Sequence, residues 1–156
     1  PVNPITLPAP TDRWAPSFLI GFAGIVTGGL VAAIVATRPS EDGIWASAYL
    51  VLVVGVAQIA LGLGQAWLAE TAPSRRVVIA ELAIFNLGNA AVIGGTLLDR
   101  TWLVDIGGVL LIAALAIYLW TTRRSRGGSI LIAYRLLVAI VVVSIPVGLV
   151  LARLAD

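Results

Sequence analysis

The chain has 156 residues, of which 60% are hydrophobic and 12% are charged, with ten arginines, no lysine and eight acidic residues. A soluble domain carries about 25% charged residues, and a small domain keeps too much surface in water to hide so many apolar side chains. The sequence has no Cys and no His, which excludes disulfides, thiol nucleophiles and the usual zinc, haem, iron–sulfur and blue-copper ligands. We therefore expect an all-α integral membrane protein without cofactor, metal or enzymatic activity.

The chain divides into a short arm and one membrane domain. Residues 1–16 are rich in proline and contain no apolar stretch, so they predict an extended N-terminal arm. A transmembrane helix needs ~20 apolar residues. Residues 17–156 form a single domain with five such stretches, at residues 17–37, 44–69, 77–98, 102–122 and 129–153. The loops between them are short, so consecutive helices are expected to be antiparallel neighbours in a bundle of about five transmembrane helices.

Arginines are divided unequally between the two ends of this bundle. The end with the N-terminus carries Arg13, Arg75, Arg76, Arg123, Arg124 and Arg126, and the other end carries Arg38, Arg100 and Arg153. Cytoplasmic loops are enriched in arginine, so we predict a cytoplasmic N-terminus and an outside C-terminus in a bacterial plasma membrane. The loop arginines at positions 75, 76, 123, 124 and 126 either act as this topology signal or contact lipid headgroups. The basic charge is too small to indicate nucleic-acid binding.

Three polar residues in different spans share one depth near the predicted cytoplasmic end. Gln65, Glu81 and Arg135 each lie five or six residues inside a span boundary, which is roughly 7.5 Å or more at the helical rise. Charge within a membrane is costly unless it is paired, so we predict a Glu81–Arg135 ion pair with Gln65 beside it. Two interpretations stay open: a structural pair that fixes helix register, or a site for a polar or anionic ligand or a proton relay.

Small residues and amides recur along single faces of the first three spans. Small residues allow helices to approach closely, and amides bridge helices by hydrogen bonds. We therefore predict helix packing at these positions, with a lined polar pathway as the alternative. The positions are Gly24 and Gly28 in the first span, Gly55, Gln58 and Gly62 in the second, and Asn86 and Asn89 in the third.

Three stretches carry a resemblance to known proteins. Residues 80–89 (AELAIFNLGN), 104–111 (VDIGGVLL) and 118–120 (YLW) resemble uncharacterised multi-pass membrane proteins of actinobacteria. They are also faintly similar to helix pairs of haem-copper-oxidase-like proteins, but the chain has no histidine to hold haem or copper. The resemblance implies a bacterial plasma-membrane protein and does not imply any particular activity.

These patterns favour a non-catalytic accessory or structural subunit of a larger membrane complex, such as a respiratory assembly or a lipid transporter. Its partners would be other integral membrane subunits and lipids, and the small-residue faces motivate this expectation. The alternative is a small stand-alone transporter or channel, as a monomer or homo-oligomer, motivated by the shared depth of Gln65, Glu81 and Arg135. A lipid-modifying enzyme that uses Glu81 or Asp105 ranks third, because each carboxylate is isolated from a second catalytic group.

Overall fold

The helices begin and end within a few residues of the predicted boundaries. The computed structural model describes the backbone of residues 14–124 and 128–155, and the side chains of residues 14–124 and 128–145. The predicted arm up to residue 13, and Arg126, lie outside the described residues. The described elements are α1 (Ala15–Val35), α2 (Glu41–Tyr49), a π-helical segment (Leu50–Ala57), α3 (Gln58–Leu68), α4 (Arg75–Leu97), α5 (Thr101–Thr121) and α6 (Ser129–Ala155).

The chain is an all-helical bundle suited to a membrane. Within the described residues, four helices are long and apolar enough to cross one, namely Ala15–Val35, Glu41–Leu68, Arg75–Leu97 and Thr101–Thr121. The second of these, called the second span below, is α2, the π-helical segment and α3 in continuous succession. The fifth helix, α6, has 27 residues. Large apolar side chains such as Leu19, Leu30 and Val109 are more than 60% exposed, as expected where lipid is the solvent.

The turn between α4 and α5 is closed by backbone hydrogen bonds. Asp99 has a φ of 51°, in the left-handed region. This conformation lets the Arg100 N–H donate to the Gly95 carbonyl at 2.7 Å and the Asp99 N–H donate to the Thr96 carbonyl at 3.3 Å. Both bonds belong to a Schellman motif, in which a left-handed residue ends a helix and satisfies its last carbonyls. The chain therefore reverses at once, and α5 packs along α4.

Glycines bring α1 into close contact with the second span. A methyl group added to Gly28 would lie 2.9 Å from a backbone oxygen of that span, and one added to Gly24 would lie 3.2 Å from a backbone nitrogen. On the opposite side of this contact, Gly55 faces Ile25 and Gly62 faces Ser17. All four predicted packing glycines therefore lie between two helices of this chain. The small-residue surfaces that suggested a partner subunit are covered internally.

A second glycine contact joins α4 and α5. A methyl group at Gly107 would lie 2.7 Å from the Gly88 carbonyl oxygen and 2.8 Å from the Val92 nitrogen. Next to this crossing, an apolar core ties α6 to the other helices, with Leu115 and Val138 fully buried. The bundle therefore encloses a tightly packed interior, and any polar group within it depends on this chain for its partners.

Candidate functional site

A hydrogen-bonded cluster lies inside the bundle near the predicted cytoplasmic end. The Gln65 Nε2 donates to Glu81 Oε1 at 2.7 Å and to Thr121 Oγ1 at 2.8 Å. Glu81 is 1% exposed and Gln65 is 5% exposed, because both lie on the faces of α3 and α4 that point inward. The predicted proximity of Gln65 and Glu81 is therefore present, and α5 contributes a third member, Thr121, that sequence reasoning missed.

Arg135 does not join this cluster, which corrects the predicted Glu81–Arg135 ion pair. The buried face of α6 carries Leu131, Tyr134 and Val138, at the three- and four-residue spacing of one helix face. Arg135 follows Tyr134 directly and is rotated away from that face, so its side chain is exposed. Its Nη2 donates to the Arg123 carbonyl oxygen at 3.4 Å, a bond that ties the end of α5 to α6.

The Glu81 carboxyl consequently sits in a neutral, hydroxyl-rich environment. Within the described residues its hydrogen-bond partner is the Gln65 amide. Tyr118 and Tyr134 are both buried in the interior of the bundle, at 1% and 6% exposure. The Tyr134 hydroxyl also donates to the Leu61 carbonyl oxygen at 3.5 Å. The sequence analysis did not identify either tyrosine as a site residue, although a tyrosine inside a span at the depth of Glu81 could have indicated a neighbour of that carboxyl.

Gln58 is buried without any hydrogen-bond partner. Its side chain is 0% exposed, and neither its Nε2 nor its Oε1 has a partner among the described residues. This corrects the prediction that Gln58 bridges two helices. Gln58 directly follows the π-helical segment Leu50–Ala57, which the sequence did not predict. Buried polar side chains are satisfied in the large majority of cases, and π-helical turns are frequent at functional sites.

Gln58 and Asn89 lie at a similar depth, further into the bundle. At the helical rise of about 1.5 Å, Gln58 is about 10.5 Å from Gln65 along α3, and Asn89 is about 12 Å from Glu81 along α4. Asn89 is 2% exposed, and its Oδ1 accepts a hydrogen bond from the Tyr49 hydroxyl at 2.8 Å. Asn89 therefore bridges α4 and α2 as predicted.

Asn86 was predicted to bridge helices in the same way, but within the described residues its side chain makes no hydrogen bond to another helix. Its Nδ2 donates to the Leu82 carbonyl oxygen of its own helix at 2.8 Å. The side chain is half-buried, since it lies one helical turn from Asn89 and on the edge of the inward face.

Among the described residues, an inner and an outer cavity lie at opposite ends of the bundle. The inner cavity, of about 390 Å³, lies at the predicted cytoplasmic end between the α3–α4 loop and the end of α5. The outer cavity, of about 300 Å³, lies between α2, α4, α5 and α6 and is mainly apolar, with hydroxyls from Tyr49, Thr96 and Ser144. The inner cavity is lined by Glu70, Thr71, Ala72, Pro73, Ser74, Val77, Trp120, Thr121, Arg123 and Arg124.

Buried polar groups connect with both cavities. Thr121 lines the inner cavity and is hydrogen-bonded to Gln65, while Tyr49 lines the outer cavity and is hydrogen-bonded to Asn89. We call the residues from one cavity to the other the polar series, which consists of Thr121, Gln65, Glu81, Gln58, Asn89 and Tyr49.

The chemistry of the polar series is that of oxygen ligands around one carboxyl. Carboxylate, amide and hydroxyl oxygens suit a proton or a hard cation. Because Arg135 lies outside the cluster, the cluster has no cation that could bind an anionic ligand. Comparison with protein-family models, with curated proteins and with solved structures finds no match, and so the function is inferred from this geometry.

Proposed function

We propose that the chain is a small transporter or channel of the bacterial plasma membrane that moves a proton or a small monovalent cation along the polar series. The observation that carries the proposal is the buried Glu81 carboxyl, which is hydrogen-bonded through Gln65 to a residue that lines the inner cavity. An ionisable residue within a membrane is costly and commonly marks an ion or proton pathway.

The unpartnered amide of Gln58 supports the same proposal. A buried polar side chain without a partner destabilises a protein, unless a water or an ion visits it. Gln58 lies at the depth of Asn89, further into the bundle than the Glu81 cluster, where such a visitor would have to pass. Apolar side chains such as Leu61 and Phe85 form a buried core in the bundle interior. We infer that this apolar layer closes the pathway at rest, as hydrophobic constrictions do in other channels.

The proposal is tested by flux into liposomes that contain the purified protein. Glu81→Gln should lower proton or cation flux by at least about tenfold, which corresponds to a barrier increase of about 1.4 kcal/mol. The matched control is Glu41→Gln, since Glu41 is an exposed acid in the first turn of α2 at the other end of the bundle. Unchanged flux in Glu81→Gln, or wild-type flux no faster than in empty liposomes, contradicts the proposal.

An accessory subunit of a larger membrane complex is the second candidate, favoured by an aromatic face on α1. The rings of Phe18 and Phe22 are stacked with centroids 6.2 Å apart, and Trp14 meets Phe18 edge to face at 6.0 Å. Phe22 is 54% exposed, so this face points away from the second span. A respiratory assembly or a lipid transporter could supply a transmembrane helix for it. Mild-detergent extraction separates the candidates: a discrete complex with stoichiometric partners favours the subunit, and a small homogeneous species favours the transporter.

A further inference from the structure

The inner cavity is joined to the polar series by Thr121 and also carries basic side chains. Its volume of about 390 Å³ falls in the range of sites for small organic molecules, which is about 300–1,000 Å³. Arg123 and Arg124 both line it, and both side chains are exposed. No ion pair of either arginine with a carboxylate occurs within residues 14–124 and 128–145. Two cations without an ion-pair partner among these residues therefore share one concave surface.

The Arg123 guanidinium lies over an aromatic ring at the edge of the inner cavity. Its Cζ lies 4.5 Å from the centre of the Trp120 ring, and a cation is attracted to the face of an indole at this distance. A guanidinium has five N–H donors. Two of them can bind two oxygens of one phosphate.

The start of α4 adds to the same positive potential. Ser74 caps α4 by accepting a hydrogen bond from the Val77 N–H at 3.4 Å, and both residues line the cavity. The N-terminus of a helix attracts anions. Glu70 also lines the cavity and reduces the net positive charge.

We propose that the inner cavity binds a phosphate ester, as the headgroup of a phospholipid in the leaflet at this end of the bundle. The depth fits a lipid: Trp120 is 55% exposed near the end of α5, and tryptophans concentrate at the level of lipid headgroups. The charge fits as well, because the cytoplasmic leaflet is anionic and attracts arginines near the surface. An apolar tail would lie along the exposed face of α5, and the phosphate would lie between Arg123 and Arg124.

The test is lipid retention measured by native mass spectrometry. The full-length protein is released from nanodiscs that contain equal parts of phosphatidylglycerol and phosphatidylcholine. We expect wild-type protein to retain phosphatidylglycerol. The double variant Arg123→Gln/Arg124→Gln should bind this lipid at least about tenfold more weakly. Glu70→Gln should bind it more tightly, because the repelling carboxylate is gone. Arg100→Gln, an exposed arginine at the other end of the bundle, is the matched control and should behave as wild type.

All the substituted side chains are exposed, and the opposite effects of the acidic and basic substitutions cannot both arise from misfolding. Equal retention by wild type and the double variant overturns the site. Inorganic phosphate, titrated into protein in phosphatidylcholine nanodiscs, identifies the source. Binding of inorganic phosphate without retention of phosphatidylglycerol overturns the lipid as occupant, whereas retention that millimolar phosphate does not displace supports it.

Discussion

Gln58→Leu is expected to make the bundle more stable, by roughly 1–3 kcal/mol in the free energy of unfolding. Both polar atoms of the Gln58 amide are buried without a described partner, and a leucine of similar volume removes that desolvation penalty without leaving a cavity. The same substitution should lower the flux through the protein, because the polar series loses its middle member. A gain in stability with a loss of activity is the pattern of a residue that is kept for function.

Gln65→Leu is the matched control, with the same chemical change seven residues along the same helix. It should destabilise the protein by about 1–3 kcal/mol or more, because the buried Glu81 carboxyl loses its donor. Thermal unfolding in detergent, or unfolding by titration with sodium dodecyl sulfate, measures both variants. A destabilised Gln58→Leu would mean that the amide has an ordered partner, and Gln58 would no longer support the proposed pathway.

Gly107→Ala is expected to destabilise the protein by about 1–3 kcal/mol, as over-packing of a tight contact does. Its new methyl group would lie 2.7 Å from the Gly88 carbonyl oxygen, so the backbones of α4 and α5 would have to separate. Since Glu81 is carried by α4 and Thr121 by α5, their hydrogen-bonded cluster should loosen as well. The melting temperature in detergent measures the first effect, and liposome flux measures the second.

Gly94→Ala provides the comparison at the same helix pair. A methyl group there would have its nearest neighbour at 3.8 Å, from Leu103, which is ordinary van der Waals contact. Alanine also has a better helix propensity than glycine, by about 1 kcal/mol, so Gly94→Ala should be neutral or stabilising. If the two alanine variants had the same melting temperature, the Gly88–Gly107 crossing would not be the close contact described above.

The spans were predictable because their signal is strong and local. Runs of about 20 apolar residues need only hydropathy and loop composition to be recognised, and the observed helices follow them. The shared depth of Gln65 and Glu81 was predictable for the same reason, since depth along a helix follows from residue number. The rotation of a helix about its own axis was harder to predict. Arg135 has the predicted depth but lies on the exposed face of α6.

The remaining features depend on tertiary packing. The π-helical segment Leu50–Ala57, which Gln58 directly follows, has no sequence signature. Gly24 and Gly28 were correctly recognised as contact-forming, but composition alone could not distinguish a contact within the chain from one with a partner. The preference for an accessory subunit relied on that distinction. Thr121 and the inner cavity became visible only when α3, α4 and α5 were placed side by side.

The central claim is that water and small cations reach the middle of the polar series, and cysteine accessibility at Gln58 tests it most directly. The chain has no cysteine of its own, so Gln58→Cys carries a single thiol. In membranes under conditions that support flux, we expect a small cationic thiosulfonate reagent to label it from the aqueous phase when the apolar layer opens, because reaction needs a hydrated thiolate. Val56→Cys, two residues away and 48% exposed towards lipid, should stay unlabelled. If the reagent labelled neither Gln58→Cys nor Val56→Cys, the result would contradict the proposed pathway.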